Sequence, residues 1–319
     1  MEIIQAVQHL RHLPGTTHSH LLRCSDGNLY VVKFRNNPDG PRVLVNEMLA
    51  SRLAEQLGLP VPPAAVVYVG PETIAGPKLS SPTDETSRPR PPHVHFGSRY
   101  VTAEECHPGW LPQPAALRPE AARAFCGMLA FDKWTCNLDI RQALFFRDRP
   151  DDSYDVCFID HGSCFGGTTW GLRNAPLQGT PHQRELLLGA QPQDFGSWLD
   201  AIARLTVTDL FTAAADVPSS WYPHDGAALA SMLQQLWLRR LRVRDLVADC
   251  LRALKNETRK SYSRPELTEL DLATARALLE GTEGEAANRF AAPAHAKTLL
   301  SHAPAAGKWP LRSAKLYSP

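Results

Sequence analysis

The stretch Leu129–Phe146, LAFDKWTCNLDIRQALFF, decides how the rest of the chain is read. Two aspartates, Asp132 and Asp139, flank Asn137 in a segment that is otherwise apolar enough for a core. Carboxylates in such a setting are costly unless they are paired or do chemistry. Upstream, PEAARAFCGMLAFDKW opens on Pro119, which suits the first turn of a helix, so a helix is predicted through Trp134. Downstream, Ala143–Phe146 and Tyr154–Ile159 read as strands joined by the polar run RDRPDDS. Asp139 therefore falls in a loop between helix and strand, and Asp132 falls on the helix.

Towards the N-terminus, Ser19–Cys24 and Asn28–Phe34 are short apolar or alternating runs. Ser25-Asp26-Gly27 separates them and predicts a hairpin turn. Arg42–Leu57 has Val43, Met48, Leu49, Leu53 and Leu57 at helical spacing, and Gly58 follows as a stop. Val61–Val69 reads as another strand. Pro71–Pro92 is rich in Pro, Ser and Thr and is expected to be a flexible insert, with order returning at Val94–Val101. Towards the C-terminus, helices are predicted at about His182–Leu188, Phe195–Leu205, Ala227–Leu251 and Glu266–Leu279. The third carries an apolar stripe of Leu229, Met232, Leu233, Leu236 and Leu241. Beyond Gly281 the composition predicts a loose tail.

The fold class that follows is α+β, with a β-rich N-terminal part holding one helix and a larger helical part. The expected boundaries are 1–101, 102–281 and a tail over 282–319. This is the layout of a two-lobed phosphotransferase, although layout alone is shared by many α+β proteins.

Lys+Arg number 34 and Asp+Glu 33, so the charge gives no support for a nucleic-acid binder. No run of apolar residues is long enough to span a membrane, and no signal-peptide pattern opens the chain. The seven cysteines are scattered and never in C-x-x-C, which argues against a disulfide framework or a zinc site. A soluble cytoplasmic protein is expected.

Lys33 ends the alternating strand LYVVK, where an unpaired charge is costly to bury. Glu47, fourteen residues on, lies near the apolar edge of the following helix. A strand lysine followed by a helix with a central acid is how the phosphate-positioning ion pair of protein kinases is built. Each residue alone reads as a solvated charge; the combination is the signal. Gly15, Thr16, Thr17, His18 and Ser19 precede that strand in a turn able to present hydroxyls and backbone N–H groups to an anion, without forming a G-x-G-x-x-G loop. Asp160 ends the strand VCFI and precedes His161-Gly162, a place for a hard-metal ligand or, more blandly, a turn cap.

Three segments, VVKFRNNPDGPRVLVNEMLASRLAEQLGLPVP, FDKWTCNLDIRQALF and FIDHG, together resemble the HipA-like kinase domains of bacteria, distant relatives of protein and phosphoinositide kinases. The resemblance runs from about residue 3 to about residue 250. It implies a two-lobed kinase fold with ATP and Mg²⁺ in the cleft. Full HipA toxins carry a further N-terminal segment not recognised here, so the resemblance implies no toxin role.

Motif spacing allows either aspartate as the base. Asp132 has Asn137 five residues later, the D-x-x-x-x-N of a kinase catalytic loop, whereas Asp139 has Leu144 there. Loop position favours Asp139, and Asn137-Leu138-Asp139 matches the family's N-x-D. The resemblance then implies that Asp139 accepts the proton of a substrate hydroxyl and that Asp160 holds Mg²⁺. It implies that Lys33, fixed by Glu47, holds the α- and β-phosphates of ATP. Leu144 cannot bind metal, so Gln142 or Asn137 would have to complete the site. Arg141 is a candidate for neutralising the transferring phosphoryl group, or a salt bridge holding the loop. Backbone groups of Ser98, Arg99 and Tyr100 are placed near the adenine. The acceptor is a hydroxyl of a protein or a small molecule. The competing expectations are a nucleotide-binding pseudokinase and a nucleotidyl transferase.

Overall fold

The computed structural model describes residues 2–14, 18–74, 93–103, 105–109, 116–150 and 152–262. The described residues up to 255 belong to one compact unit, and the last helix runs to residue 262. The expected helix at Glu266–Leu279, the 282–319 tail and the boundary at 281 lie outside the described residues.

Five strands close into a barrel: β1 (Ile3–His12), β2 (His20–Cys24), β3 (Leu29–Lys33), β4 (Ala64–Val69) and β5 (His93–Arg99), in the order β1-β2-β3-β5-β4. β1 pairs antiparallel with β2 and parallel with β4. The β2–β3 hairpin turns where Asp26 Oδ1 accepts the Asn28 N–H (3.0 Å), with Gly27 at φ 82°. Strand alternation sorts the side chains. Tyr30, Val32, Ala65, Val67 and Val69 join Ala6 and Leu22 in the barrel interior. Ala64, Val66 and Phe96 belong instead to the main core with α1 (Arg42–Gln56). Because Tyr30 and Val32 point inward, Val31 and Lys33 point out of the barrel towards the rest of the chain.

A second sheet, of β6 (Glu105–Pro108), β7 (Gln142–Arg147) and β8 (Asp155–Ile159), is antiparallel throughout. Between β6 and β7 runs α3 (Pro119–Thr135), with Pro119 in its first turn and Cys136 closing it in the left-handed conformation (φ 55°). Helices α4 (Glu185–Leu188), α5 (Gly196–Arg204), α6 (Val207–Ala215), α7 (Gly226–Arg239) and α8 (Val243–Tyr262) follow. The main core unites α1, α3, β7, β8 and these helices, with Phe131, Trp134, Phe158 and Leu236 essentially inaccessible. Among the described residues, no helix is long and apolar enough to cross a membrane.

Two expectations need correction. The flexible insert does not begin at Pro71: Pro71–Ile74 form a helical turn, α2, since Thr73 N–H bonds to Gly70 O and the Thr73 hydroxyl donates to Ala6 O on β1 (both 3.1 Å). The remainder of that insert, 75–92, lies outside the described residues. The helix expected over Ala227–Leu251 is interrupted at Arg240–Arg242 by a 3₁₀ turn, which leaves Leu241 67% exposed instead of on the buried stripe. Arg240 bonds to the Trp237 carbonyl (2.6 Å) and lies 4.1 Å over its ring.

Candidate active site

Lys33 leaves the outward face of β3 and meets two carboxylates. Its Nζ lies 2.5 Å from Glu47 Oε1 on α1 and 2.7 Å from Asp160 Oδ1 just beyond β8. Lys33 and Glu47 are almost wholly buried, at 7% and 2% exposure. Burial works against the lysine's charge, but the two carboxylates outweigh it and hold Lys33 above its ordinary value. Burial pushes Asp160 up, yet Lys33 overrides it and brings the carboxyl down to about 2. Glu47 moves the other way: burial and the neighbouring Asp160 raise it against the pull of Lys33.

The turn after β8 is built to bring Asp160 there. Asp160 itself is left-handed (φ 62°), a conformation that aspartate tolerates better than most side chains. The His161 N–H donates to the second oxygen of Glu47 (3.0 Å). Gly162 passes so close to α1 that a Cβ would stand 2.9 Å from Val43 Cγ1 and 3.2 Å from Glu47 Oε1, so only glycine fits.

The two aspartates of the Leu129–Phe146 stretch have separate fates. Asp132 is buried in α3 and receives Arg141 bidentately, with Nη2–Oδ1 at 2.5 Å and Nε–Oδ2 at 3.0 Å. The remaining Arg141 nitrogen donates to the carbonyls of Ile159 (2.8 Å) and Asp160 (3.0 Å). Asp139 is exposed in the loop. Its carboxylate accepts the Ile140 N–H (2.7 Å), and its carbonyl accepts from Gly179 N–H (3.0 Å). Asn137 joins the two: its amide donates to Asp132 Oδ1 and its oxygen accepts the Asp139 N–H, each 3.1 Å.

Two cavities meet at the acids. The first, of about 220 Å³, is lined by Lys33, Glu47, Asp160, Asp139 and Gln142, with apolar walls that include Leu13, Val31 and Leu144. The second, of about 800 Å³, is walled largely by residues between Gly162 and Arg173, with Val43 and Leu138. Asp139 and Asp160 line both.

Of the residues singled out in the sequence, Lys33, Glu47, Asp160, Asp139, Gln142, Ser19, Ser98, Arg99 and Tyr100 come together around the first cavity. His18 is described but lines neither cavity, and Gly15, Thr16 and Thr17 lie outside the described residues. Arg141 requires correction as a phosphoryl-facing residue, because its side chain is inaccessible and bonded to Asp132. Asn137 requires the same correction as a metal ligand, since its oxygen faces the Asp139 backbone within the core. Gln142 does reach Asp160, donating its amide to Oδ2 at 2.6 Å. The N–H groups of Arg99 and Tyr100 bond to Pro63 O (3.0 Å) and Leu29 O (2.8 Å), so they are not free to meet a base. Sequence reasoning missed Val101, the next residue along the cavity wall, and the close approach of Gly162, although its place in Asp-His-Gly is a signal for a tight turn.

His161 gives the site a pH dependence. Burial, then the charge of Arg141, push its imidazole well below the ordinary 6.5. The unfolded chain therefore takes up a proton below pH 6.5 that the folded chain refuses, and stability falls as pH falls. The loss is at most ~1.4 kcal/mol per pH unit from this one group. Urea denaturation at pH 7.0 and 5.5 is expected to show a steeper loss for the wild type than for His161→Asn, whose oxygen can still accept from Arg141. Equal losses would remove His161 from the explanation.

Among the described residues, no group of three or more His, Cys, Asp or Glu converges on a metal position. Asp160, with Gln142 beside it, still fits Mg²⁺, which characteristically uses one or two carboxylates and completes its shell with water and substrate phosphates.

The family model described as HipA-like kinase matches residues 2–169. No curated protein matches the chain. Among solved structures, the chain is similar to the Helicobacter pylori proinflammatory kinase CtkA, at 15% identity and a TM-score of 0.48, covering 78% of this chain and 98% of that one. It is also similar to a Golgi casein kinase with Mn/ADP bound, at 12% identity and a TM-score of 0.42, covering 78% of this chain and 73% of that one.

Proposed function

The chain belongs to the HipA-like kinase family, and from that premise we propose that it transfers the γ-phosphoryl group of ATP to a hydroxyl of a protein or small molecule. The observation that carries the proposal is the meeting of Lys33, Glu47 and Asp160 beside an outward-facing Asp139. Residues 1–101 and the helical part after them are read as two lobes, with ATP in the smaller cavity and the acceptor entering from the larger. The cytoplasm is the proposed location.

Lys33, held protonated by its two carboxylates, binds the α- and β-phosphates. Asp160, with Gln142 beside it, would hold Mg²⁺, which when bound neutralises phosphate charge. Asp139 orients the acceptor hydroxyl and takes its proton as the oxygen bonds to phosphorus and the bridging oxygen leaves with ADP. Arg141 takes no part in the transfer and fixes the loops instead. The adenine lies against Val31 and Leu144, with the Val101 backbone as its polar edge. Catalysis of this kind is mostly positioning and electrostatics.

Thermal unfolding with and without Mg-ATP tests the binding half. At a hundredfold excess over Kd, ligand adds about 2.7 kcal/mol. For a unit of this size, the midpoint should rise by about 5–10 °C. The rise is expected in wild type and lost in Lys33→Ala and Asp160→Asn. Its absence from wild type at saturating Mg-ATP would count against any nucleotide-binding role. One observation favours a second reading, a nucleotide-binding pseudokinase: Leu144 stands five residues after Asp139, where the family's motif has a metal-binding asparagine. That reading expects the midpoint rise without turnover.

A further inference from the structure

We propose that Asn46 is a positioning residue that ties the loop carrying Asp160 to the helix carrying Glu47, with Trp170 as its partner. Asn46 lies on α1 immediately before Glu47 and is completely buried. Its amide nitrogen donates to the carbonyls of Gly162 (2.8 Å) and Gly167 (3.2 Å). Its oxygen accepts the indole N–H of Trp170 (2.8 Å). One side chain thus grips both ends of the segment that leaves Asp160 and walls the second cavity.

The segment needs an external hold. Phe165 (φ 60°), Gly166 (φ 77°), Gly167 (φ 66°) and Trp170 (φ 54°) all have positive φ and kink the 3₁₀ turns of Cys164–Thr169. Backbone of this kind persists only where its surroundings over-determine it. One turn before Asn46, Arg42 strengthens the grip. It donates to Thr168 O (2.8 Å), lies 4.3 Å over the Trp170 ring, and is itself held by Asp225 (2.7 and 2.8 Å).

On the neighbouring face of α1, Glu47 receives the His161 N–H (3.0 Å) and binds Lys33. Consecutive residues of a rigid helix therefore hold the segment and the charge cluster. Loosening the first should loosen the second. The consequence for nucleotide binding rests on the kinase reading above; the mechanical coupling does not.

Hydrogen exchange at the His161 amide separates the two. Asn46→Asp keeps size and the acceptor for Trp170 but sets an oxygen against two carbonyls. Trp170→Phe keeps an aromatic ring under Arg42 and removes one donor. Trp134→Phe is the control, because it deletes an equally buried indole bond, to Leu236 O (2.9 Å), away from the segment. After correction for global stability, His161 exchange should quicken about tenfold in the first two variants and stay unchanged in the control. The Mg-ATP dissociation constant should rise by a similar factor in the same two. If His161 exchange follows global stability alike in all three, the proposal is overturned. If it quickens as expected while wild type binds no Mg-ATP, the positioning role stands and the nucleotide reading fails. Should Asn46→Asp fail to fold, Trp170→Phe decides alone.

Discussion

Asp139→Asn is expected to lower the rate of γ-phosphoryl transfer by about 10²–10⁴-fold while leaving the Mg-ATP-dependent rise in unfolding midpoint intact. The substitution changes no buried contact: Asp139 is exposed, and the bonds that shape its loop run through its own backbone and through Asn137. An asparagine oxygen can still accept the Ile140 N–H, so the loop should keep its form. What is lost is a carboxylate able to take a proton, placed where the two cavities meet. Single-turnover transfer from γ-labelled ATP, followed for both proteins at matched occupancy, is the measurement. Equal rates would remove Asp139 as the base and favour a pseudokinase if both rates are nil.

Asp132→Ala is expected to act through stability instead, by about 3–5 kcal/mol. Both side chains of the Asp132–Arg141 pair have no exposed surface, so losing the carboxylate strands a guanidinium in the core. Arg141 also holds the carbonyls of Ile159 and Asp160, and Asn137 leans on Asp132 from the other side. Loss of the pair should therefore disturb both acid-bearing loops together. Urea denaturation gives the magnitude. Replacing the pair together, as Asp132→Leu with Arg141→Met, should recover much of the loss, because no buried charge is then left alone. A small effect of Asp132→Ala on stability, coupled with complete loss of transfer, would instead revive Asp132 as the base.

How much of this was legible beforehand differed by residue. Lys33 and Glu47 could be paired on paper because alternation along β3 and periodicity along α1 set which way each side chain points. Asp160 followed from a strand ending in Asp-His-Gly. The different surroundings of Asp132 and Asp139 could be told only from where the helix stops, since the spacing to Asn137 alone points to the aspartate that is buried. Asn137 proved to be the brace between the two. Arg141 was not legible: an arginine two residues past the loop aspartate looks the same whether it faces a cavity or the core. Only the position of Asp132, nine residues earlier and across α3, decides it. β1 carried no clear strand signal because register shifts at Ala6/Gln8 and His9/Arg11 interrupt its alternation. The break after α7 was hidden because an unbroken apolar stripe does not reveal a side chain bonding back to its own helix.

β1 closes the barrel by bonding to β2 on one side and to β4 on the other. A ring of strands offers no open rim along which a second chain could extend it, so the part of the chain holding Lys33 is shielded from edge-to-edge aggregation. Trimming the first dozen residues would do more than shorten the chain. It would bare two rows of backbone donors and acceptors at once, and the shortened protein should be sticky in solution even if its acids and lysine stayed in place.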